Sequence, residues 1–363
     1  MTVGVVTTSF PRWPGDFAGC FVEDAVRATL ATGANVEVIA AGDGPAPGSD
    51  APAHRDLERT RVFRIPQTAT FGPAALFYDA GAPESLERGG ARAWTQAFFF
   101  WSALCERIRE RAVTGRWRRI ETHWLLPCAL AARASAPSLP ITAFAHSGDI
   151  ALLERLPGGG ALARTLARGI DDLAFVSADL QRRFAALAGF RKGRVASLVR
   201  KGSPPALARG AARATLGIDG HTILSVGRLV PIKGFDLLLR AVARACGGQA
   251  QASRVVILGD GPERDRLSDL ARALRVPLLL PGFVPRGEVQ RWMAAADLYV
   301  QPSLRLANGR TEGLPRATLE AKDAGLHVVA SDSGGLAEVV GLRTFPAGSL
   351  EALTTALLTV WTA

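Results

Sequence analysis

The strongest constraint on this chain is a pattern that occurs twice: a short apolar run, a glycine-containing loop, an amphipathic stretch, and a second apolar run. Val3-Gly4-Val5-Val6-Thr7-Thr8 reads as a parallel strand buried on both faces. A Pro/Gly-rich loop from Pro11 to Gly19 follows. Apolar residues then recur at helical spacing from Phe21 to Thr32, with Gly33 placed to end the helix. Val36-Glu37-Val38-Ile39-Ala40 is the next strand, which completes the opening of a βαβ unit. Strands are expected again at Ile120–His123, Ile141–Ala145, Leu173–Ser177 and Val195–Val199, and Asp43 to Ala53 reads as a surface loop. Beyond Lys201-Gly202-Ser203-Pro204-Pro205 the pattern restarts. Thr222–Val226, Val255–Leu258, Leu278–Leu280, Leu298–Val300 and His327–Ala330 are its strands, and a helix from Phe235 to Ala245 is the first of the segments between them. The chain therefore reads as α/β, with two Rossmann-like parallel-sheet domains, residues 1–202 and 203–363, facing a central cleft. In such sheets ligands bind beyond the carboxyl ends of the strands.

Composition narrows the partners. The net charge is +10 and is mostly arginine, which suits nucleic acid, an anionic membrane surface or a phosphate-bearing small molecule. The charge is spread along both halves and no nucleic-acid motif accompanies it, so nucleic acid is not an expected partner. Four scattered cysteines and five histidines lack metal-ligand spacing, so no metal site is expected. No apolar stretch approaches the roughly 20 residues of a membrane span. Met1 to Phe10 lacks the basic head and apolar core of a secretory signal, so the expected location is cytoplasmic. Trp94 to Arg119 opens on aromatics and closes on arginines. That order fits a helix lying on an anionic membrane or a core helix with a solvated basic end; the strand after it favours the core helix.

Four elements carry candidate chemistry. In Thr311-Glu312-Gly313-Leu314-Pro315-Arg316-Ala317-Thr318-Leu319-Glu320, Pro315 suits the first turn of a helix, with Glu312 just before the helix and Glu320 within it. The free N–H groups of such a helix end attract phosphate. Gly227-Arg228-Leu229-Val230-Pro231-Ile232-Lys233-Gly234 follows a strand and opens a helix, and its two cations suit one diphosphate. Leu258-Gly259-Asp260-Gly261-Pro262 and Pro281-Gly282-Phe283-Val284 are further strand-end turns. Each alone also fits an ordinary solvated loop or capped helix.

Together and in this order, these elements resemble the donor-binding domain of the retaining GT-B glycosyltransferases of family 4, the glycosyl transferases group 1. The resemblance is to their Glu-Gly-Leu-Pro subgroup, which includes polysaccharide-biosynthesis members. Gly334-Gly335 and Glu338 supply the element that usually follows. In the first half, Ser9 to Gly19 resembles the family's glycine loop, His123-Trp124 its His-Trp element, and His146-Ser147-Gly148-Asp149 its His-Gly-Ser-Asp. The resemblance implies catalytic roles for Glu312, His146, Arg228 and Lys233. It implies donor contacts from Gly15, Gly19, Gly227, Phe283, Val284, Gly313, Leu314 and Glu320, with Glu320 at the ribose and the helix amides beginning at Gly313. Asp16, Phe17, His123 and Asp149 fall on the acceptor side. The co-substrate implied is a UDP- or GDP-sugar, with no metal or other cofactor. The acceptor implied is a polysaccharide or lipid-linked saccharide, and the basic surface with the aromatic-to-arginine segment makes the inner face of the plasma membrane the expected place to meet it. The alternative is a non-catalytic nucleotide-sugar binder or a partner subunit of an active transferase. The chain departs from the family pattern at Ser147-Gly148, in swapped order, at Pro315, which lacks an N–H, and at Lys201-Gly202-Ser203, where relatives carry a different loop. Relatives also usually continue past the position of Ala363 with helices that cross back onto the first domain.

Overall fold

The computed structural model describes the chain except for residues 14, 15, 17, 43–56, 66–76, 78–81, 197–206, 247–252, 340 and 362–363. The chain divides into two compact units, Met1–Leu198 and Val199–Ala363. The boundary expected near Lys201 lies outside the described residues.

The first unit runs β1 (Thr2–Val6), α1 (Cys20–Ala31), β2 (Asn35–Ala41), β3 (Thr60–Ile65), α2 (Ala82–Thr114) and β4 (Trp117–His123). It continues with α3 (Leu130–Ser135), β5 (Ile141–Ala145), α4 (Ser147–Arg155), α5 (Gly159–Gly169), β6 (Asp172–Phe175), α6 (Ala178–Ala188) and β7 (Arg194–Val195). The seven strands form one sheet in the order β3-β2-β1-β4-β5-β6-β7, and every pairing is parallel. Strand alternation sends side chains to two separate cores. Val3, Val5, Val36 and Val38 pack with Val22 and Val26 of α1 on one face. Val6, Ile39, Ile120 and Ile141 pack with Leu104 and Ile108 of α2 on the other. Burial on both faces explains why these strands are near-continuous apolar runs.

The second unit repeats the scheme: α7 (Arg209–Leu216), β8 (His221–Val226), α8 (Phe235–Ala245), β9 (Ser253–Leu258), α9 (Arg264–Leu274) and β10 (Leu278–Gly282). Then come α10 (Arg286–Ala295), β11 (Leu298–Gln301), α11 (Arg316–Asp323), β12 (His327–Ser331), β13 (Arg343–Phe345) and α12 (Leu350–Trp361). Its six parallel strands are ordered β10-β9-β8-β11-β12-β13. Ile223, Val255, Ile257 and Val300 face α8 and α12, while Leu224, Val256, Tyr299 and Val328 face Trp292 and Met293 of α10. In each unit the strand order reverses beside the first strand, at β1/β4 and at β8/β11, where loops diverge and leave a crevice. Among the described residues, no helix is long and apolar enough to cross a membrane.

Two expectations need correction, and two strands were not among those expected. The strand expected at Val195–Val199 is Arg194–Val195, and 197–199 lie outside the described residues. β3 and β13 lacked a buried apolar run because they are edge strands with polar or arginine positions among their apolar ones. The Trp94–Arg119 segment is not one helix: α2 ends at Thr114, and Arg116, Arg118 and Arg119 belong to the turn and to β4. α2 buries Leu104 and Ile108 and leaves Trp94, Phe98 and Phe99 exposed, so it has both a core face and an aromatic outer face.

Leu357 on α12 is fully buried against the α8 side of the second sheet. Leu357→Ala should lower stability by about 2–5 kcal/mol, the usual cost of emptying a leucine site in a core. Urea unfolding of the full chain measures it, and a loss below ~1 kcal/mol would contradict this packing.

Candidate functional site

In the second unit, the loops at the carboxyl ends of β8, β9 and β10 are tied edge to edge. The Gly227 N–H donates to the Leu258 carbonyl at 2.9 Å and the Gly259 N–H to the Gly282 carbonyl at 2.8 Å. The Leu229 N–H donates to the Asp260 carbonyl at 2.9 Å, and the Glu263 N–H returns to the Leu229 carbonyl at 3.0 Å. This ladder fixes the loop from Gly227 to Gly234. Within it Lys233 ends a single 3₁₀ turn, Pro231–Lys233, closed by Gly234 at φ 65°. The Leu304 N–H donates to the Ile232 carbonyl at 2.8 Å, so the loop after β11 braces this turn.

Glu312 comes from that second loop. Its backbone is held by the turn after β12: the Gly335 N–H donates to the Gly313 carbonyl at 2.9 Å. Gly334 sits at φ 58°, and a Cβ there would lie 1.9 Å from the Glu312 carbonyl oxygen, so no side chain is tolerated. Lys233 and Glu312 thereby meet, Nζ to Oε1 at 3.0 Å, with side chains only 15% and 14% exposed. They follow neighbouring but non-consecutive strands, β8 and β11, where the strand order of the second sheet reverses.

Beneath this pair runs a buried polar chain. Tyr299 Oη donates to Gln301 Oε1 at 2.9 Å, and Gln301 Nε2 donates to Ser303 Oγ at 2.8 Å. Thr318, in the first turn of α11, reaches the same Gln301 oxygen at 3.5 Å. Burial pushes the Tyr299 hydroxyl well above its usual pKa, with the nearby Glu320 and Glu312 carboxylates adding to the shift, so it stays a neutral donor.

α11 corrects one expectation. It begins at Arg316 with Pro315 as its N-cap, so Gly313 and Leu314 lie in the preceding loop and the helix amides start three residues later than expected. Pro315 is extended, at ψ 115°, which is why the helix does not begin earlier. Glu320 lies on α11 and bonds Arg286 of α10 at 3.1 Å, with Arg316 at 3.8 Å. Neither arginine was singled out from the sequence. Arg316 carries an i,i+4 signal to Glu320, but Arg286 is 34 residues away and only the fold brings it there. Phe283 is exposed and Val284 is buried.

The first unit holds a different kind of site. Gly19 caps α1 at φ 74° and presses against the Ser9 carbonyl. Asp16 is buried and organises the preceding loop: Arg12 Nε donates to its Oδ2 at 2.6 Å and the Ala18 N–H to its Oδ1 at 3.1 Å. Burial alone would raise this carboxyl; the Arg12 and Ala18 hydrogen bonds and the Arg12 charge outweigh it and hold the pKa below its usual value. From β3, Arg64 donates to the carbonyls of Phe10 and Pro11. Gly15 and Phe17, also expected here, lie outside the described residues.

His123 ends β4 and His146 precedes α4. Their rings are 5.9 Å apart, with His123 stacked on Phe144 at 5.0 Å. Phe21 lies 4.9 Å and Trp124 4.7 Å from the His146 ring. Asp149 joins the two segments, accepting from the His146 N–H at 2.9 Å and from the Leu126 N–H at 3.2 Å. Trp124 is held at φ 83°, a strained value for a bulky residue. Among the described residues, both ring nitrogens of fully buried His123, the Nε2 of His146 and the Nε1 of Trp124 are buried without a hydrogen-bond partner. Four orphaned polar atoms thus gather in one aromatic-lined spot closed to water.

Desolvation sets the charges here. Burial lowers the His146 pKa to about 3, and lowers His123 well below normal with further repulsion from His146. Burial raises Asp149 to about 7, against backbone N–H donors from His146, Leu125 and Leu126 that pull it down. His146 keeps part of its side chain at the surface while its Nε2 is shut away from water, which limits the size of its effect. The signs oppose. On acidification from pH 7 to 4 the unfolded histidines take up protons that the folded ones refuse, so the histidines lose stability. Over the same range the folded Asp149 binds a proton before the unfolded one does, which offsets part of that loss. Thermal unfolding at pH 7 and 4 should therefore show a smaller acid loss for His146→Asn than for the unaltered protein, and a larger one for Asp149→Asn. The reverse order would contradict these environments.

Comparisons with known proteins bear on the family segment and on the fold. The family model described as Glycosyl transferases group 1 matches residues 211–354. The amylovoran biosynthesis glycosyltransferase AmsK of Erwinia amylovora is 34% identical over 146 residues, covering 38% of this chain and 35% of that protein. The GDP-mannose-dependent alpha-(1-6)-phosphatidylinositol monomannoside mannosyltransferase of Mycobacterium tuberculosis H37Rv is 32% identical over 235 residues, 61% of this chain and 60% of that protein. The chain thus matches less than two thirds of the length of either relative. In fold, Anabaena HepE in complex with UDP superposes with a TM-score of 0.67 at 19% identity, covering 100% of this chain and 90% of that one. The second unit thus carries a segment that matches the glycosyl transferases group 1 family, and the two Rossmann-like parallel-sheet units give the chain the GT-B fold.

Proposed function

We propose that this protein moves a hexose-type sugar from a UDP- or GDP-sugar to a polysaccharide or lipid-linked saccharide acceptor, with retention at the anomeric carbon and no metal requirement. The observation that carries this reading is the meeting of Lys233 and Glu312 at the crevice between β8 and β11. A cation there suits a diphosphate, and a carboxylate beside it suits sugar hydroxyls. Arg228 lies on the same loop as Lys233, and the two would hold the charge that builds on the departing nucleoside diphosphate. The bond from the anomeric carbon to the phosphate oxygen breaks, and the acceptor oxygen bonds to that carbon on the same face. The acceptor proton passes to the leaving phosphate oxygen. Glu320 would take the ribose hydroxyls, which compete with Arg286 and Arg316 for its carboxylate. Phe283 would lie against the base.

In the first unit, His146 remains neutral throughout the physiological range, so it would orient a sugar hydroxyl by hydrogen bonding and would carry no charge. His123 and Trp124 offer further unpartnered ring nitrogens on the acceptor side. The two named relatives support a saccharide or lipid-linked acceptor, and the M. tuberculosis protein and Anabaena HepE support GDP and UDP respectively as nucleotide. The exposed Trp94, Phe98 and Phe99 of α2, on a protein of net charge +10, support peripheral contact with an anionic membrane at the cytoplasmic face.

Thermal unfolding with UDP, GDP, ADP and their sugars tests the donor. One nucleotide and its sugar should raise the transition, and the others should leave it unmoved. Lys233→Ala should lower turnover by about a hundredfold, the scale for losing one donor to a developing charge. An unchanged rate would remove Lys233 from the mechanism, and binding without transfer or donor hydrolysis would favour a non-catalytic binder.

A further inference from the structure

A site built only of cations has a weakness. A nucleoside diphosphate carries one more negative charge than the nucleotide-sugar it came from, so such a site holds product more tightly than donor. The position of Glu312 answers this, granted the donor-site reading above. Lys233 and Glu312 are in contact at 3.0 Å, and both are largely shielded from water. Both backbones are braced by neighbouring loops. The Lys233 turn is held by the Leu304 N–H on the Ile232 carbonyl, and its side chain lies across Gly227, where an added Cβ would come 3.0 Å from its Cε. The Glu312 carbonyl is pressed by Gly334. Side-chain rotation is the freedom that remains. Glu312 and an incoming diphosphate therefore compete for one ammonium.

We infer that Glu312 is a built-in counter-ion that sets the preference for donor over product. When a diphosphate takes Lys233, the Glu312 carboxylate is left largely buried beside a second anion, which is costly unless new donors reach it. The hydroxyls of the attached sugar are such donors. The nucleoside diphosphate left after transfer has none to offer at that position. Glu312 then recaptures Lys233, and the product leaves.

Isothermal titration calorimetry on the full chain tests this with UDP, GDP and ADP, using the nucleotide that binds the unaltered protein. Glu312→Gln, which is nearly isosteric, should bind that nucleoside diphosphate about tenfold more tightly, between the effects of exposed and of buried ion pairs. It should also lose the preference for the nucleotide-sugar. Glu312→Ala, which frees Lys233 in the same way, should show the same gain. Lys233→Met should bind more weakly, and adding Glu312→Gln to it should change nothing further, because the gain acts through the lysine. Equal or weaker binding by both Glu312 variants overturns the inference and leaves the donor site standing. A gain that persists with Lys233→Met also overturns it, since simple repulsion would then be the cause. If no nucleoside diphosphate binds the unaltered protein or any variant, the donor-site reading falls, and this inference falls with it.

Discussion

Parallel pairing of strands is the constraint on which the rest of this molecule depends. When every neighbour runs the same way, all carboxyl ends emerge on one edge of the sheet, and so do the loops that follow them. Residues far apart in the chain then become neighbours. Lys233 follows β8 and Glu312 follows β11, and they touch because those strands pair directly although two others lie between them in sequence. The loops are not left to find their own positions. Backbone hydrogen bonds run from the loop after β8 to that after β9, and on to the end of β10. The turn after β12 supports the loop after β11 from the other side. Each functional side chain is thus positioned by a neighbour's loop as much as by its own.

The two units use electrostatics in opposite ways. In the second, charged groups keep their charge and find partners: Lys233 with Glu312, and Glu320 with Arg286 and Arg316. At the His123–His146 spot of the first, burial removes charge. His123 and His146 are held neutral and Asp149 is pushed toward neutrality, with ring nitrogens left unpaired among aromatic rings. A charged diphosphate and an uncharged saccharide call for environments of these two kinds. The strain at Trp124 persists because Asp149 ties the segment after β4 to the start of α4.

Much of this was legible before any coordinates. Strands such as Val3–Val6 and Val255–Leu258 announce themselves because both faces are buried, and the glycine turns after them mark where loops must bend. The edge strands β3 and β13 were missed for the same reason, since one side of each pairs with nothing in its sheet and polar residues are tolerated. Glu312 and Lys233 could be named from motif order, but their mutual contact could not, because it depends on strand order. The same holds for Arg286 on Glu320 and for Phe21 beside His146. The start of α11 was placed too early because Pro315 suits the first helical turn and the N-cap equally well from composition, and only its backbone angles decide.

β3 carries a consequence of its own. Among the described residues it is the outermost strand of the first sheet, bonded on one side only, and Arg64 on it grips the carbonyls of Phe10 and Pro11. Edge strands open locally at lower cost than central ones. Each time β3 frays, the glycine loop loses an external clamp and leans more on its internal ties, the Arg12–Asp16 pair and the Ala18 N–H on Asp16. The order of that loop is therefore tied to the breathing of a sheet margin. A partner that adds a strand to the margin, or one that peels β3 away, would tune the loop without touching it.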